Sequence, residues 1–269
     1  MKRSVFYLSD QTGLTAELLG QTLLAQFDSI DFITQTLPYI DSEDKVLAVV
    51  ELINRNAQEN AIKPLLFSTL VQPELKAILH RSEAVMLDVF ELFIAPLEQA
   101  LQAHSNHRVG KKHSSEDKQA YDHRIQAVNY ALKTDDGLSI KQYAQADIIL
   151  LGVSRSGKTP TALYLAMQFG LQAANYPITE DDLQNYELPT WAEQFQHKLF
   201  GLKIDPQRLH EIRTERRANS PYASIEQCQL EVRQINKLYQ REAIPTIDTT
   251  SRSIEEIATK IIAKTHLKR

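Results

Sequence analysis

The chain has 269 residues, 43% of them hydrophobic and 24% charged, the balance of a soluble globular protein long enough for two α/β units. Its formal net charge is −4 and its pI about 6.1, which argues against general nucleic-acid binding, a function that needs a basic footprint. No apolar run approaches the length that crosses a bilayer, and Cys228 is the only cysteine, so no disulfide can form within the chain. The basic pair Lys2-Arg3 leads into a strand-like run rather than a secretory signal, which with the lone cysteine predicts a reducing, cytoplasmic setting.

Ser4–Leu8 (SVFYL) reads as a first strand. Gly13 breaks it, and Leu14, Leu18, Leu19 and Leu23 follow at helical spacing. Phe32–Leu37 reads as a second strand. Val46, Val49, Val50, Ile53 and Ala57 mark an amphipathic helix, with Asp41 or Ser42 as its candidate N-cap. Leu65–Leu70 and Ala84–Leu87 read as two more strands. The helical pattern through Leu92–Leu101 contains Pro96, which either kinks the helix or lies near its start. Strand–helix alternation at this rhythm predicts a parallel sheet with helices on both faces.

Gln102–Lys118 is a polar break without periodicity. Tyr121–Lys133 is helical, and Asp135-Asp136-Gly137 stops it, the glycine tolerating a left-handed exit. A second α/β unit begins at Asp147. It holds a helix after Lys158, strands at Ala173–Pro177 and Lys198–Asp205, and helices over about residues 207–217 and 224–241. A short strand at Ile244–Asp248 follows, then a helix with Ile254, Ile257, Ala258, Ile261 and Ile262 on one face. The expected fold class is α/β, with an N-terminal parallel-sheet domain over residues 1–104 and a connecting loop and helix over 105–145. A P-loop kinase-like nucleotide-binding domain occupies 146–269.

The stretch Ala146–Thr159 carries the sharpest chemical signal. An apolar run ends at Gly152, and Val153-Ser154-Arg155-Ser156 lead to Gly157-Lys158-Thr159, which completes the G-x-x-x-x-G-K-[ST] phosphate-binding pattern between a strand and a helix. A phosphate chain is a dense anion that needs many donors pointed inward. Backbone N–H groups between Gly152 and Thr159 can form that cradle because glycine permits tight curvature and close approach. Lys158 is positioned to meet the outer phosphates, and Thr159 to place its hydroxyl on Mg²⁺. The helix that opens near Lys158 adds its N-terminal dipole, and Pro160 costs little in its first turn. Arg155 is unusual inside such a loop and is a candidate contact for phosphate or for a second anion. A chance match is improbable with only eight glycines in the chain.

Other candidates are less distinctive. Asp205 and Asp248 each end a strand and are alternatives for a Mg²⁺-binding acid, although a strand-end or capping aspartate is the plainer reading of both. Arg213, Arg216 and Arg217 share a helix face, either as a lid over transferring phosphates or as a solvated face paired with Glu211 and Glu215. Ser9–Glu17 fills the first strand-to-helix turn, a favoured ligand position in an open α/β sheet, but Ser, Asp and Thr there equally suit helix capping. His104, His107 and His113 match no metal-ligand spacing and read as part of a basic surface loop. Asp135 and Asp136 read as acid–base groups, a metal site or a plain helix-ending turn, the last slightly favoured.

Five segments together resemble the bacterial phosphoenolpyruvate synthase regulatory proteins, relatives of the pyruvate, phosphate dikinase regulatory proteins. They are Ser9–Glu17 (SDQTGLTAE), Arg124–Gly137 (RIQAVNYALKTDDG), Ala146–Ala166 (ADIILLGVSRSGKTPTALYLA), Ala173–Pro177 (AANYP) and Ile244–Glu256 (IPTIDTTSRSIEE). GVSRSGKTP is specific, because a generic phosphate loop demands neither its arginine nor its proline. The resemblance implies a bifunctional cytoplasmic regulator. With ADP it would phosphorylate a threonine of phosphoenolpyruvate synthase, inactivating it and releasing AMP. With inorganic phosphate it would remove that group as pyrophosphate and restore activity. The family's nucleotide site carries over onto Gly152 to Thr159. The residues themselves suggest Lys158 and Arg155 in catalytic roles and Thr159 on Mg²⁺, with Asp135, Asp136 and Asp147 as open alternatives for orienting the threonine hydroxyl. The implied partner is phosphoenolpyruvate synthase, with neither nucleic acid nor membrane, and a homodimer stays open. Two other classes compete: a small-molecule P-loop kinase with the Arg213–Arg217 stretch as lid, and a non-catalytic nucleotide-sensing switch.

Overall fold

The computed structural model describes residues 2–106, 118–179, 182–183, 188–218, 220–265 and 267. The chain divides into two compact units, Met1–Ser114 and Ser115–Arg269. Each is an α/β unit built on a four-stranded sheet whose strands are all parallel.

In the first unit the strands are β1 (Lys2–Leu8), β2 (Asp31–Leu37), β3 (Leu65–Ser68) and β4 (Val85–Asp88), in spatial order β2-β1-β3-β4. Alternate residues of β1 serve opposite faces, as the pleat requires. Val5 and Tyr7 pack with Phe67 against Ala16 and Leu24 of α1 (Leu14–Leu24). Phe6 and Leu8 pack with Leu66 against α2 (Glu43–Asn60) and α3 (Pro73–Leu79). In α2 the expected apolar positions Val46, Val49, Val50, Ile53 and Ala57 are all buried, and Ser42 is the N-cap residue. Helix α4 (Val89–Leu101) includes Pro96 within its span, starting at an Asp88 side chain that accepts from the Phe90 and Glu91 amides.

Helix α1 departs from its sequence pattern. Leu14, Leu18 and Leu23 are exposed, and the face turned to the sheet carries Ala16, Gly20 and Leu24 instead. A Cβ on Gly20 would lie 2.3 Å from Tyr7 Cε1, so a small residue is what lets α1 approach β1.

The second unit repeats the strand order. β5 (Ile148–Gly152), β6 (Ala173–Pro177), β7 (Leu199–Lys203) and β8 (Thr246–Asp248) lie in the order β6-β5-β7-β8. Every residue of β5 is buried, which is why it reads as an unbroken apolar run rather than an alternating one. Ile149 and Leu151 pack against α8 (Ile225–Arg241) through Cys228, Val232, Ile235 and Leu238. Ile148 and Leu150 face α5 (Lys118–Lys133), α6 (Lys158–Phe169) and α9 (Ile254–Thr265). Helix α7 (Pro206–Arg216) completes the unit. The order reverses between β5 and β7, and the loop leaving β5 emerges at that crevice, where open α/β sheets bind ligands.

Candidate functional site

The loop from Gly152 to Gly157 is bent by two left-handed residues, Arg155 (φ 76°) and Gly157 (φ 90°). Arg155 is not a glycine, so its conformation carries a backbone cost that the surrounding structure must offset. Gly152 is needed for space, since a Cβ there would sit 2.3 Å from the Ser156 hydroxyl. Ser156 is buried and its hydroxyl has no partner among the described residues.

Three side chains hold the loop's carbonyls. Lys158 Nζ donates to the Val153 carbonyl at 3.1 Å. Arg213 donates to the Ser154 carbonyl from Nη2 at 3.1 Å and from Nε at 3.4 Å. Thr249 Oγ1 donates to the carbonyls of Ser156 at 3.2 Å and Lys203 at 3.0 Å. Lys158 and Thr159 open α6, so their N–H groups have no carbonyl one turn earlier to bond. A bent loop with its carbonyls bonded to side chains, above a helix N-terminus, is a concavity suited to an anion.

That concavity is a cavity of about 500 Å³, walled by Ser154, Arg155, Gly157, Lys158, Thr159 and Pro160, by Asp135 and Asp136, and by Ile212 and Arg216 of α7. Gly152, Val153 and Ser156 do not line it. They shape the loop from beneath, with Val153 in the core. Lys158 is 4% exposed. Burial pulls its pKa down from 10.5 to about 8; Asp136 and Asp135 oppose the shift, and Arg213 and Arg155 add to it.

The carboxylates separate by role. Asp135 Oδ1 accepts from the Thr159 hydroxyl at 2.8 Å and from Asn175 Nδ2 at 2.7 Å. Asn175, buried on β6, also accepts from the Asp136 amide at 3.1 Å, and so fixes the turn Asp135–Gly137 against the sheet. Asp136 stands in the left-handed region (φ 46°) at the cavity wall. Asp147 precedes β5, at the strand end away from the loop, where its carboxylate accepts from the Gln172 amide. The Thr159 hydroxyl and Asp135 carboxylate in contact are hard oxygen donors of the kind that hold Mg²⁺ beside phosphate oxygens and water. Among the described residues no three His, Cys, Asp or Glu side chains gather into a metal-binding group.

Several sequence alternatives resolve. Asp205 caps α7, accepting from the Gln207 and Arg208 amides, and Asp248 accepts from the Thr250 amide; neither lines the cavity. The lid reading of Arg213 is corrected. Its guanidinium is fully buried, forms a two-pronged ion pair with Glu231 at 2.6 and 3.0 Å, and lies 4.1 Å from the Tyr222 ring centre. A group fixed in the core cannot open and close. Nor does that helix face pair as expected, because Glu211 bonds Arg208 instead. Arg216 does reach the cavity wall.

Glu231 and Tyr222 carry no motif in the sequence, and Asn175, although inside the AANYP segment, is assigned no role by it. Asn175 had one usable signal, a polar residue inside an apolar strand.

In the first unit, Gly13, not a side chain of Ser9–Thr12, is the N-cap of α1 (φ 80°), so the capping reading of that turn does not hold. Ser9 accepts from the Gln11 amide, and Asp10 is 5% exposed with one carboxylate oxygen unpartnered. Burial raises the Asp10 pKa. His104 is exposed, 3.9 Å from Glu98, while His107 and His113 lie outside the described residues. Among the described residues no helix is long and apolar enough to cross a membrane.

A family model described as kinase/pyrophosphorylase matches residues 5–262. A protein of Pseudomonas fluorescens is 52% identical over 269 residues, covering 100% of this chain and 99% of its own. One of Pseudomonas putida is 52% identical with the same coverage, and one of Pseudomonas aeruginosa is 50% identical, covering 100% of this chain and 98% of its own. Each of the three bears the name "Putative phosphoenolpyruvate synthase regulatory protein".

Proposed function

This chain belongs to the kinase/pyrophosphorylase family, and we propose that it regulates a phosphoenolpyruvate synthase by reversible threonine phosphorylation in the cytoplasm. In one direction ADP is the phosphoryl donor and AMP the product. In the other, inorganic phosphate takes the group from phosphothreonine and leaves as pyrophosphate. One observation carries the reading: an anion cavity with Lys158 and the Thr159–Asp135 pair on its wall also presents a carboxylate, Asp136, whose side chain is not engaged by Thr159 or Asn175.

ADP bound with Mg²⁺ supplies the transferable β-phosphoryl group and part of the charge neutralisation. The chain's residues do the rest. Amides of the loop and of the start of α6 align the diphosphate. Lys158 neutralises its terminal oxygens, a task its fixed, water-excluded position makes stronger than in solution. Thr159 and Asp135 would be the oxygen ligands that hold Mg²⁺. Asp136 accepts the proton of the attacking threonine hydroxyl and returns it in the reverse direction. Phosphoryl transfer asks mainly for alignment and charge balance, which this set provides.

The full chain incubated with β-labelled ADP, Mg²⁺ and phosphoenolpyruvate synthase is expected to label the synthase and release AMP. Lys158→Ala should reduce that rate about 10²–10³-fold, with an unchanged circular dichroism spectrum. Turnover of a small acceptor with ATP, and no labelled synthase, would instead support a metabolite kinase. Nucleotide binding without any transfer would support a sensing switch. The metabolite-kinase reading has lost its Arg213 lid.

A further inference from the structure

A second cavity, of about 560 Å³, adjoins the first. Asp136, Ser154, Arg155 and Arg216 wall both, and Arg217 and Tyr222 line the second alone. Its wall therefore sets three guanidinium groups against one carboxylate among the described residues. None of Arg155, Arg216 and Arg217 has a carboxylate partner among the described residues, although pairs of that kind form close by, at Arg208–Glu211 and Arg213–Glu231.

Two plainer explanations fall short. The C-terminal dipole of α7 accounts for cations at Arg216 and Arg217, but Arg155 comes from another element and reaches the same cavity only through a left-handed backbone. A site for the nucleoside would need apolar or aromatic surface on which a base could stack. The one ring here, Tyr222, carries the Arg213 guanidinium on one face, and its hydroxyl is bonded to Ser154 Oγ at 2.8 Å. Guanidinium forks and a fixed phenol are the groups that recognise a phosphate monoester dianion.

We propose that this second cavity holds the phosphothreonine of the protein substrate, facing the phosphate cradle across Asp136. The inference rests on the reading above and gives its two reactions one geometry. In the kinase direction the threonine hydroxyl enters beside Asp136, and the new monoester is received by Arg155, Arg216 and Arg217. In the reverse direction a hydrogen phosphate in the cradle attacks the phosphothreonine phosphorus. The new P–O bond makes pyrophosphate, the P–Oγ bond breaks with its electron pair going to Oγ, and the proton given up by the attacking phosphate passes through Asp136 to that oxygen.

Arg217 lines only the second cavity and is the discriminating position. Arg217→Ala should raise the KM for phosphorylated synthase about tenfold or more, the size of one lost charge-assisted contact, with Arg217→Lys in between. The dissociation constant for ADP, measured by calorimetry, and the KM for inorganic phosphate should stay within about twofold, as should the melting temperature within a degree or so. Independently of turnover, the phosphorus resonance of N-acetyl-O-phosphothreonine methylamide should shift on the wild-type chain saturated with AMP, which leaves the place of the transferred phosphoryl free, and lose that shift in Arg217→Ala. Equal weakening of ADP would assign the cavity to the nucleotide, and a raised KM for inorganic phosphate alone would assign it to free phosphate. No change in any of these would make the arginines a solvated face. Each of those three results overturns the proposal. Failure of the wild-type chain to bind ADP would strike the underlying kinase reading, whereas normal ADP binding with no phosphothreonine signal would strike this inference alone.

Discussion

Lys158 shows how a motif residue acquires its chemistry from its surroundings. The Gly-Lys-Thr pattern places an ammonium near phosphate, but burial at 4% exposure is what lowers its pKa to about 8. The unfolded chain, with this group near 10.5, binds more protons between the two values, so the cost of burying the cation is fully present below pH 8 and is relieved as pH rises toward 10.5. On the proposed function, ADP binding would have the opposite dependence, because the ligand needs the charge. Affinity for ADP should hold steady below pH 8 and fall about tenfold per unit above it, with uptake of one proton per ADP bound. Calorimetry at pH 9 in buffers of different ionisation enthalpy reads that proton directly; affinity flat to pH 9.5 would show that Lys158 does not meet the phosphates.

Helices α7 and α8 are joined by one pair whose two charges lie in the interior. Arg213 is fully buried, and the Glu231 side chain is 11% exposed. Removing one partner strands the other without a counter-charge, so Arg213→Ala should cost about 3–5 kcal/mol in urea unfolding. The double change with Glu231→Ala should recover part of that loss, and purely additive losses would show that the pair is not coupled. In the first unit α1 depends on the absence of a side chain. Gly20→Ala gains about 1 kcal/mol of helix propensity, but its methyl would meet the Tyr7 ring, so the net expectation is a loss of about 1–2 kcal/mol. A stabilised variant would mean that Tyr7 moves aside freely.

At the scale of the molecule, the chain is built from two units with the same parallel strand order, and each places a turn where that order reverses. In the second unit that turn is the loop proposed to cradle phosphate, whose native conformation ligand should stabilise. ADP with Mg²⁺ at about a hundred times its dissociation constant contributes about 2.7 kcal/mol, or roughly 5–10 °C in melting temperature for a unit of this size. Stabilisation by ATP and none by ADP would exclude ADP as the donor. The sequence by itself determined the alternation of strands and helices, the buried run of β5 and the bent glycine loop after it. These are carried by local periodicity and by glycine at set positions, which neighbouring residues alone control. Only the tertiary structure decided the partners. Asn175 reaches Asp135 from 40 residues away and holds the turn at the cavity wall, and Arg213 reaches Ser154 from 59 and holds the loop. Nor could spacing along α7 show that Arg213 is core while Arg216 and Arg217 face a cavity, because a charge is buried by distant elements closing over it. The exposed leucines of α1 make the same point in reverse, since a helical period locates an apolar face but not which face the sheet will accept.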